Sequence, residues 1–420
     1  MKFASLVRIL CLVAFATLQG RAESFALKDG DRVVFYGDSI TDQRLYTTFA
    51  ETYVVTRFPK LDVSFVHSGW GGDRVTGGGG GRIDVRLRRD VFAYKPTVMT
   101  IMLGMNDGSY RVFDEKIFGA YSNGYQHIID SAKKALPGIR ITVIEPSPFD
   151  DVTQPPQFEG GYNGVMVRYS QFVKELAERE KLNVADLNSP IVAALEKAKA
   201  TDPDRAKKII PDRIHPGPGG HLLMAEQLLK SWNAPALVSA VVIDARAKTV
   251  ADAKGTMVSA LKTGDEISWT QLDEVLPMPV NVNDPIVALA VKSSDFFQSL
   301  DQQTLKVTGL SAANYDLKID GEEIDSFTRE QLAEGINLAA LLTPMTKQAA
   351  EVHKLTLQHN NIHFERWRQI EVPFTEGKTP KVQKAARDLM AALDEEEADV
   401  VKAQRAAAQP GPHQFQLAPK

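Results

Sequence analysis

Four short segments of the 420-residue chain carry residue types suited to acyl-transfer chemistry. Gly37-Asp38-Ser39-Ile40-Thr41 presents a hydroxyl directly after the apolar run 32–36. In an open α/β sheet ligands bind outside the carboxyl ends of the strands, so a serine at this position stands at the crevice. Gly69-Trp70-Gly71-Gly72-Asp73 follows a second run, 63–66. Glycines at a strand end let a backbone amide approach a ligand closely, as an oxyanion donor must. Gly104-Met105-Asn106-Asp107 closes a third run, 98–103, and its carboxamide is a further candidate donor. Asp212-Arg213-Ile214-His215 spaces a carboxylate and an imidazole so that the first can orient the second, fixing its tautomer and favouring the imidazolium formed on proton uptake. Taken singly, each segment reads as a helix cap or a turn. As a set they supply a nucleophile, a base with its orienting acid, and anion donors, in one order along the chain.

Bringing four such segments to one point requires a sheet whose strands all end at the same edge. The runs 32–36, 63–66, 98–103 and 139–144 are rich in β-branched residues and alternate with helical patterns over 47–58, 82–94 and 120–136. This alternation predicts a parallel sheet covered on both faces, an α/β domain spanning residues 23–235. Beyond Asn233-Ala234-Pro235 the pattern changes. Short runs at 238–243, 286–291, 305–307 and 315–319 read as strands, the last leading into an Asp320-Gly321 turn, and predict a small β-rich accessory module over 236–343. Two C-terminal helices are expected within 344–408, packed back on the protein because a lone amphipathic helix is marginal in water. Residues 409–420 mix Pro, Gly and Gln and read as a flexible tail.

The four segments resemble the SGNH (GDSL-type) hydrolase family. Gly37-Asp38-Ser39 matches its first block, Gly72 its second, Gly104-x-Asn106-Asp107 its third and Asp212-x-x-His215 its fifth, over about 200 residues. The second block departs from the family at His67, where Asn is common, and at Arg74, where Thr is common. The resemblance implies a flavodoxin-like three-layer domain and ester hydrolysis through an acyl-enzyme. Ser39 would be the nucleophile, His215 the base and Asp212 its orienting acid. The backbone amides of Ser39 and Gly72, with the Asn106 side chain, would form the oxyanion hole. No metal and no organic cofactor are needed. Because the base must be neutral, the rate is expected to fall on the acid side.

Composition narrows the remaining possibilities. The chain is 44% hydrophobic and 24% charged, with a formal net charge of −4, so it offers no basic field for nucleic acid. One Cys excludes an intramolecular disulfide and any multi-Cys metal site. Residues 1–22 carry Lys2 and Arg8, an apolar stretch and Gly20-Arg21-Ala22, the build of a secretory signal peptide. Export to a periplasmic or extracellular location is therefore expected, with no stable membrane insertion after cleavage, and Cys11 lies inside the segment removed.

Other segments have simpler readings. The glycines at 77–81 lack the Lys-Ser/Thr of a phosphate-binding loop and read as a flexible loop beside the site. His359 and His363 share a helical face at metal-ligand spacing, but no Glu follows the first, and a packing role is expected. His221 reads as a helix residue. The crevice loops 108–126 and 149–162 mix aromatics such as Tyr110 and Phe113 with polar groups, which favours a polar small-molecule or polysaccharide ester, such as an acetylated sugar. The alternatives are a lipolytic esterase or lysophospholipase of the same family, and a glycan-binding protein with an idle hydrolase domain in which Trp269 offers a stacking ring.

Overall fold

The computed structural model describes residues 24–420, so the expected signal peptide lies outside the described residues. Five strands stand in the spatial order Ser64–Gly69, Arg32–Gly37, Val98–Met102, Arg140–Ile144 and Asn183–Ala185, all parallel. The first strand in the chain is second in space, so successive connections diverge around its carboxyl end and leave a crevice there. The register pairs Gly37 with Gly69 on one side and with Met102 on the other, which aligns three of the four chemical segments at one edge. The helices Leu45–Arg57 and Pro218–Ser231 pack together, and Ile83–Asp90, Glu115–Ala135 and Gly161–Glu180 pack in succession. The result is the expected three-layer α/β arrangement. Val98–Met102, buried at every residue, is its central strand.

Local chemistry sets the helix limits. Asp114 caps Glu115–Ala135 by accepting the amides of Lys116 and Ile117 at 2.9 and 3.0 Å. Lys133 and Lys134 stand in its last turn, where a cation complements the helix dipole. Tyr121, Tyr125, Ile128, Ile129 and Ala132 recur at helical spacing and form its buried face.

From Leu237 onward two sheets share one core. The first runs Thr256–Thr263, Ile267–Asp273, His413–Pro419, Asn314–Ile319, Glu322–Thr328; the second runs Ile336–Asn337, Gln302–Thr308, Leu237–Asp244, Thr249–Lys254. Four expectations need correction here. Residues 409–420 are not a flexible tail: His413–Pro419 lies between two strands of the first sheet, with Phe415 and Leu417 buried. The alternation of those two residues with polar ones is the strand signal that the Pro, Gly and Gln content obscures. The run 286–291 is not a strand but part of the helix Pro285–Lys292, capped by Asp284, which accepts the amides of Ile286 and Val287. A short apolar run fits either structure, and the Asp-Pro start marks a helix. Trp269 is no exposed platform; it is buried and stacked on Phe415 at 5.0 Å. Finally, Met278, Val280, Val287, Phe296 and Leu300 belong to the core of the α/β domain, although they fall within the span read as the accessory module.

The C-terminal helices join both halves. Pro344–Phe364 lies on Leu45–Arg57 and pairs with Pro380–Ala407. Contacts of Gln348 with Ala407, His359 with Glu397 and Arg366 with Asp394 make the pair antiparallel. Between them, Glu365–Glu371 forms a π-helical turn. Among the described residues no helix is long and apolar enough to cross a membrane.

The contact between these helices and the α/β domain is polar at its centre. Glu51, 2% exposed, accepts from His359 at 2.6 Å, from His67 at 3.1 Å and from Gln404 at 3.1 Å. Burial alone would raise the Glu51 pKa, but His359 and His67 hold it far below the ordinary 4.5. Burial would likewise lower His359, but Glu51 and Glu397 raise it well above 6.5. Two opposite pH dependences follow. The Glu51 contribution is present above about pH 4.5 and is lost as pH falls through its depressed folded value. The His359 contribution is present below about pH 6.5 and is lost as pH rises through its elevated folded value. Thermal melts across pH are therefore expected to peak between these limits. Glu51→Gln, which keeps the shape and removes the charge, is expected to cost ~3–5 kcal/mol and to flatten the alkaline decline. A variant melting with wild-type stability and pH profile would contradict this account of the contact.

Candidate active site

The serine turn rests on two strand ends. Asp38 caps Ser39–Asp42 by accepting the Ile40 amide at 3.1 Å, and the short helix lies close against the ends of Arg32–Gly37 and Ser64–Gly69. A Cβ at Gly37 would stand 2.2 Å from Thr41 Oγ1 and 2.7 Å from the Met102 carbonyl, and one at Gly69 would stand 2.2 Å from the Asp42 amide. Only glycine permits this approach, and it fixes where the Ser39 hydroxyl points.

The Asp-x-x-His spacing becomes a single clamp. One carboxylate oxygen of Asp212 accepts the amides of Ile214 and His215 at 2.9 and 2.7 Å, and the other meets His215 Nδ1 at 2.7 Å. A carboxylate only accepts, so Nδ1 carries the proton and Nε2 is left to accept. That nitrogen lies 2.8 Å from Ser39 Oγ. Burial would raise the Asp212 pKa, but these amides and the imidazole bring it below the ordinary 3.8, which keeps it ionised. The turn requires Arg213 in the left-handed region, φ 74°. That residue is held by the Asp150 amide on its carbonyl and by its own guanidinium on the Pro155 carbonyl, each at 2.9 Å.

Asn106 faces the Gly72 loop from the next strand. Its Nδ2 donates to the Asp73 carbonyl at 3.1 Å, while its Oδ1 accepts the Tyr110 hydroxyl at 2.9 Å. The phenol thereby fixes which end of the carboxamide faces the loop. Ser109 and Tyr110 both adopt positive φ, 58° and 54°, a strained pair that aims the ring. Two more carboxyls lie buried here: burial raises Asp38 and Asp107 to about 7, and Asp107 accepts the Val75 amide at 3.0 Å.

The structure thus brings Ser39, His215 and Asp212 into one hydrogen-bonded chain, with Gly72 and Asn106 on the loops that follow the two strands flanking Arg32–Gly37. His67 is buried against Thr47 and Glu51 and takes no place at the site. His221 is a helix residue whose ring accepts the Tyr46 amide and meets Gln43; burial lowers its pKa to about 3, so it stays neutral. The glycines at 77–81 form a tight hairpin, Gly77–Gly78 with Gly81–Arg82, rather than a flexible loop. A Cβ at Gly80 would come within 2.6 Å of Trp70 and Arg86, so the run reflects close packing. His359 and His363 are buried, and among the described residues no cluster of His, Cys, Asp and Glu could hold a metal ion. Of the crevice-loop aromatics, Tyr121 and Tyr125 are core, and Tyr110 is the half-exposed one beside Asn106. Sequence reasoning missed four residues that touch this region: Asp42, Arg86, Trp367 and Arg368. Asp42 is three residues from Ser39, a spacing that places it on the next turn. Arg86 and the C-terminal pair carry no local signal.

A hydroxyl bonded to a neutral imidazole that is itself held by a carboxylate can lose its proton as it attacks a carbonyl, and donors on the facing loop can hold the resulting oxyanion. Known proteins share this framework. Residues 35–223 match the GDSL-like lipase/acylhydrolase family. The acetylxylan esterase of Geobacillus stearothermophilus is 26% identical over 223 residues, covering 48% of this chain and 93% of that enzyme. The solved structure of BT4096, a gut microbial diltiazem-metabolizing enzyme, superposes with a TM-score of 0.79 at 28% identity, covering 94% of this chain and 98% of that one. The likeness to BT4096 extends across the β-rich region and the C-terminal helices as well as the α/β domain. With its parallel sheet and its serine turn, the chain is similar through residues 35–223 to the GDSL-like lipase/acylhydrolases and is an ester-cleaving enzyme.

Proposed function

We propose that this enzyme is an exported serine esterase that removes short acyl groups, acetyl foremost, from hydroxyl-rich substrates such as carbohydrates. The observation that carries the mechanism is the continuous chain from Ser39 Oγ to His215 Nε2 at 2.8 Å and from His215 Nδ1 to Asp212 Oδ2 at 2.7 Å. Ser39 attacks the ester carbonyl as His215 takes its proton, and the imidazolium is stabilised by Asp212. The amides of Ser39 and Gly72 and the Asn106 carboxamide hold the oxyanion. His215 then protonates the leaving alcohol, and water repeats the sequence to release the acid.

The substrate assignment rests on the surroundings of this chain. The Asp212 and His215 side chains are 55% and 34% exposed, so the reacting group meets solvent. An apolar cavity of about 400 Å³, lined by Phe49, Leu222, Val280, Val287 and Ala350, contains none of the three, so it offers no obvious acyl-chain tunnel at the serine. Arg74, Tyr110 and Arg111 give the rim polar, exposed groups. The acetylxylan esterase relative points the same way. Export rests on the leader-like composition of residues 1–22. Burial of Trp269 removes the ring on which a glycan-binding role would depend.

Hydrolysis of p-nitrophenyl esters of graded chain length is expected to be fastest for acetate and to fall steeply beyond butyrate. A maximum at eight or more carbons would replace this reading with a lipolytic one. Ser39→Ala is expected to lose at least ~10³-fold in kcat, and Asp212→Asn ~10³–10⁴-fold because the imidazole tautomer is no longer fixed. Equal rates in Ser39→Ala and the native enzyme would end the assignment. Tyr110→Phe frees the Asn106 carboxamide to turn, and kcat is expected to drop several-fold with KM unchanged. An unchanged kcat would show that Asn106 needs no such tether.

A further inference from the structure

We propose that the π-helical turn Glu365–Glu371 sets the geometry of the oxyanion hole, with Trp367 and Arg368 as its positioning residues. The proposal rests on the reading of Gly72 and Asn106 as oxyanion donors. Two consecutive residues of this turn, some 300 positions from the donor loop in sequence, reach that loop by separate routes.

Arg368 takes the near side. Its guanidinium lies over the Trp70 ring, 3.2 Å from the centroid, and donates to the Gly69 carbonyl at 3.4 Å. It also donates to Asp42 Oδ2 at 3.3 Å, the oxygen that accepts the Gly71 amide at 3.0 Å. Residues 69, 70 and 71 are therefore all held from the C-terminal turn. Trp367 takes the far side. Its indole N–H donates to Asp90 at 2.6 Å, and Asp90 pairs with the buried guanidinium of Arg86. Arg86 donates to Asp73 at 2.6 Å, and the Asp73 carbonyl accepts the Asn106 carboxamide at 3.1 Å. Gly72 itself is exposed and flanked by Gly71, a pair with wide backbone freedom. Fixing 71 on one side and 73 on the other is what holds its amide in place.

The turn type matters to this arrangement. A π-helical segment widens the helix and redirects successive side chains, and such segments concentrate at functional sites. Here it lets Trp367, 1% exposed, enter the Arg86 cage while the next residue covers Trp70. The Trp70 and Trp367 rings meet edge to face at 5.7 Å, which closes the contact between the two routes. Oxyanion donors act only when held within a fraction of an ångström of the developing charge, so a support acting on both donors should appear in kcat.

The test uses the full chain and p-nitrophenyl acetate. Trp367→Phe keeps a ring and deletes the N–H to Asp90; Arg368→Ala removes a side chain at the rim of the loop. Each is expected to lower kcat about tenfold, part of the ~100-fold that loss of a donor itself costs, with KM within twofold; the melting temperature is expected to fall for the buried Trp367→Phe and to stay nearly unchanged for Arg368→Ala. Arg368→Lys, which keeps the charge without the planar fork, is expected to recover only part of the loss. In an Asn106→Ala background the loss from Trp367→Phe should shrink to the part carried through Gly72, because one of the two donors it positions is gone. Native kcat in both Trp367→Phe and Arg368→Ala, with Ser39→Ala inactive, would overturn the proposal and leave the active-site reading standing. Fully multiplicative losses for Trp367→Phe and Asn106→Ala would also overturn it. Activity surviving in Ser39→Ala would instead remove the reading on which the proposal rests.

Discussion

The guanidinium of Arg86 is the point at which the separate parts of this protein are tied together. It is fully buried, bonded to Asp73, Asp90 and the Ser68 carbonyl, and faced by the rings of Tyr36, Trp70 and Trp367. A buried charge is costly unless its donors are met, and here a sheet strand end, the helix Ile83–Asp90, the donor loop and the C-terminal turn all converge to meet them. Burial disfavours the charge, yet its neighbours hold the pKa above the ordinary value for arginine, so the side chain stays ionised. Any displacement of one partner leaves the others unpaired in a dry environment. The loop carrying Gly72 is thereby built as a rigid part of the fold.

A second consequence concerns the division of labour along the chain. The α/β domain carries the hydrogen-bonded chain of Ser39, His215 and Asp212, but it does not close on itself. Its Glu51 is completed by His359 and Gln404, its core by Val287 and Phe296, and its helix Leu45–Arg57 by the Arg57 contact with Asp301 at 3.1 Å. The β-rich sheets are locked in turn by the terminal strand His413–Pro419. This interdependence fits the likeness to BT4096 along nearly the whole length, whereas the acetylxylan esterase match covers 48% of this chain.

How much of this was legible in the sequence follows from the range of the interactions. The sheet and the triad were readable because apolar runs end in Gly-Asp-Ser, Gly-Gly-Asp and Gly-x-Asn-Asp, and because Asp212 and His215 meet within one turn. The helix Pro285–Lys292 was misread because the six apolar residues 286–291 satisfy either periodicity, and only the Asp284 cap separates them. The terminal strand was misread because its composition resembles a tail while its partners lie about 100 to 150 residues away. Trp367 and Arg368 were invisible, since a tryptophan and an arginine in a helix are ordinary until the fold sets them on Trp70 and Asp90. Export rests on the composition of residues 1–22, whereas the polar substrate class rests on the exposed rim around Asp212 and His215.

The central claim, that Ser39 is the nucleophile of an acyl-enzyme mechanism, is tested most directly by mass spectrometry after reaction with a fluorophosphonate ester. A single adduct per chain, mapped to Ser39 and absent in His215→Ala, is the predicted result. Labelling at another residue, or no labelling of an enzyme that still cleaves acetate esters, would contradict it.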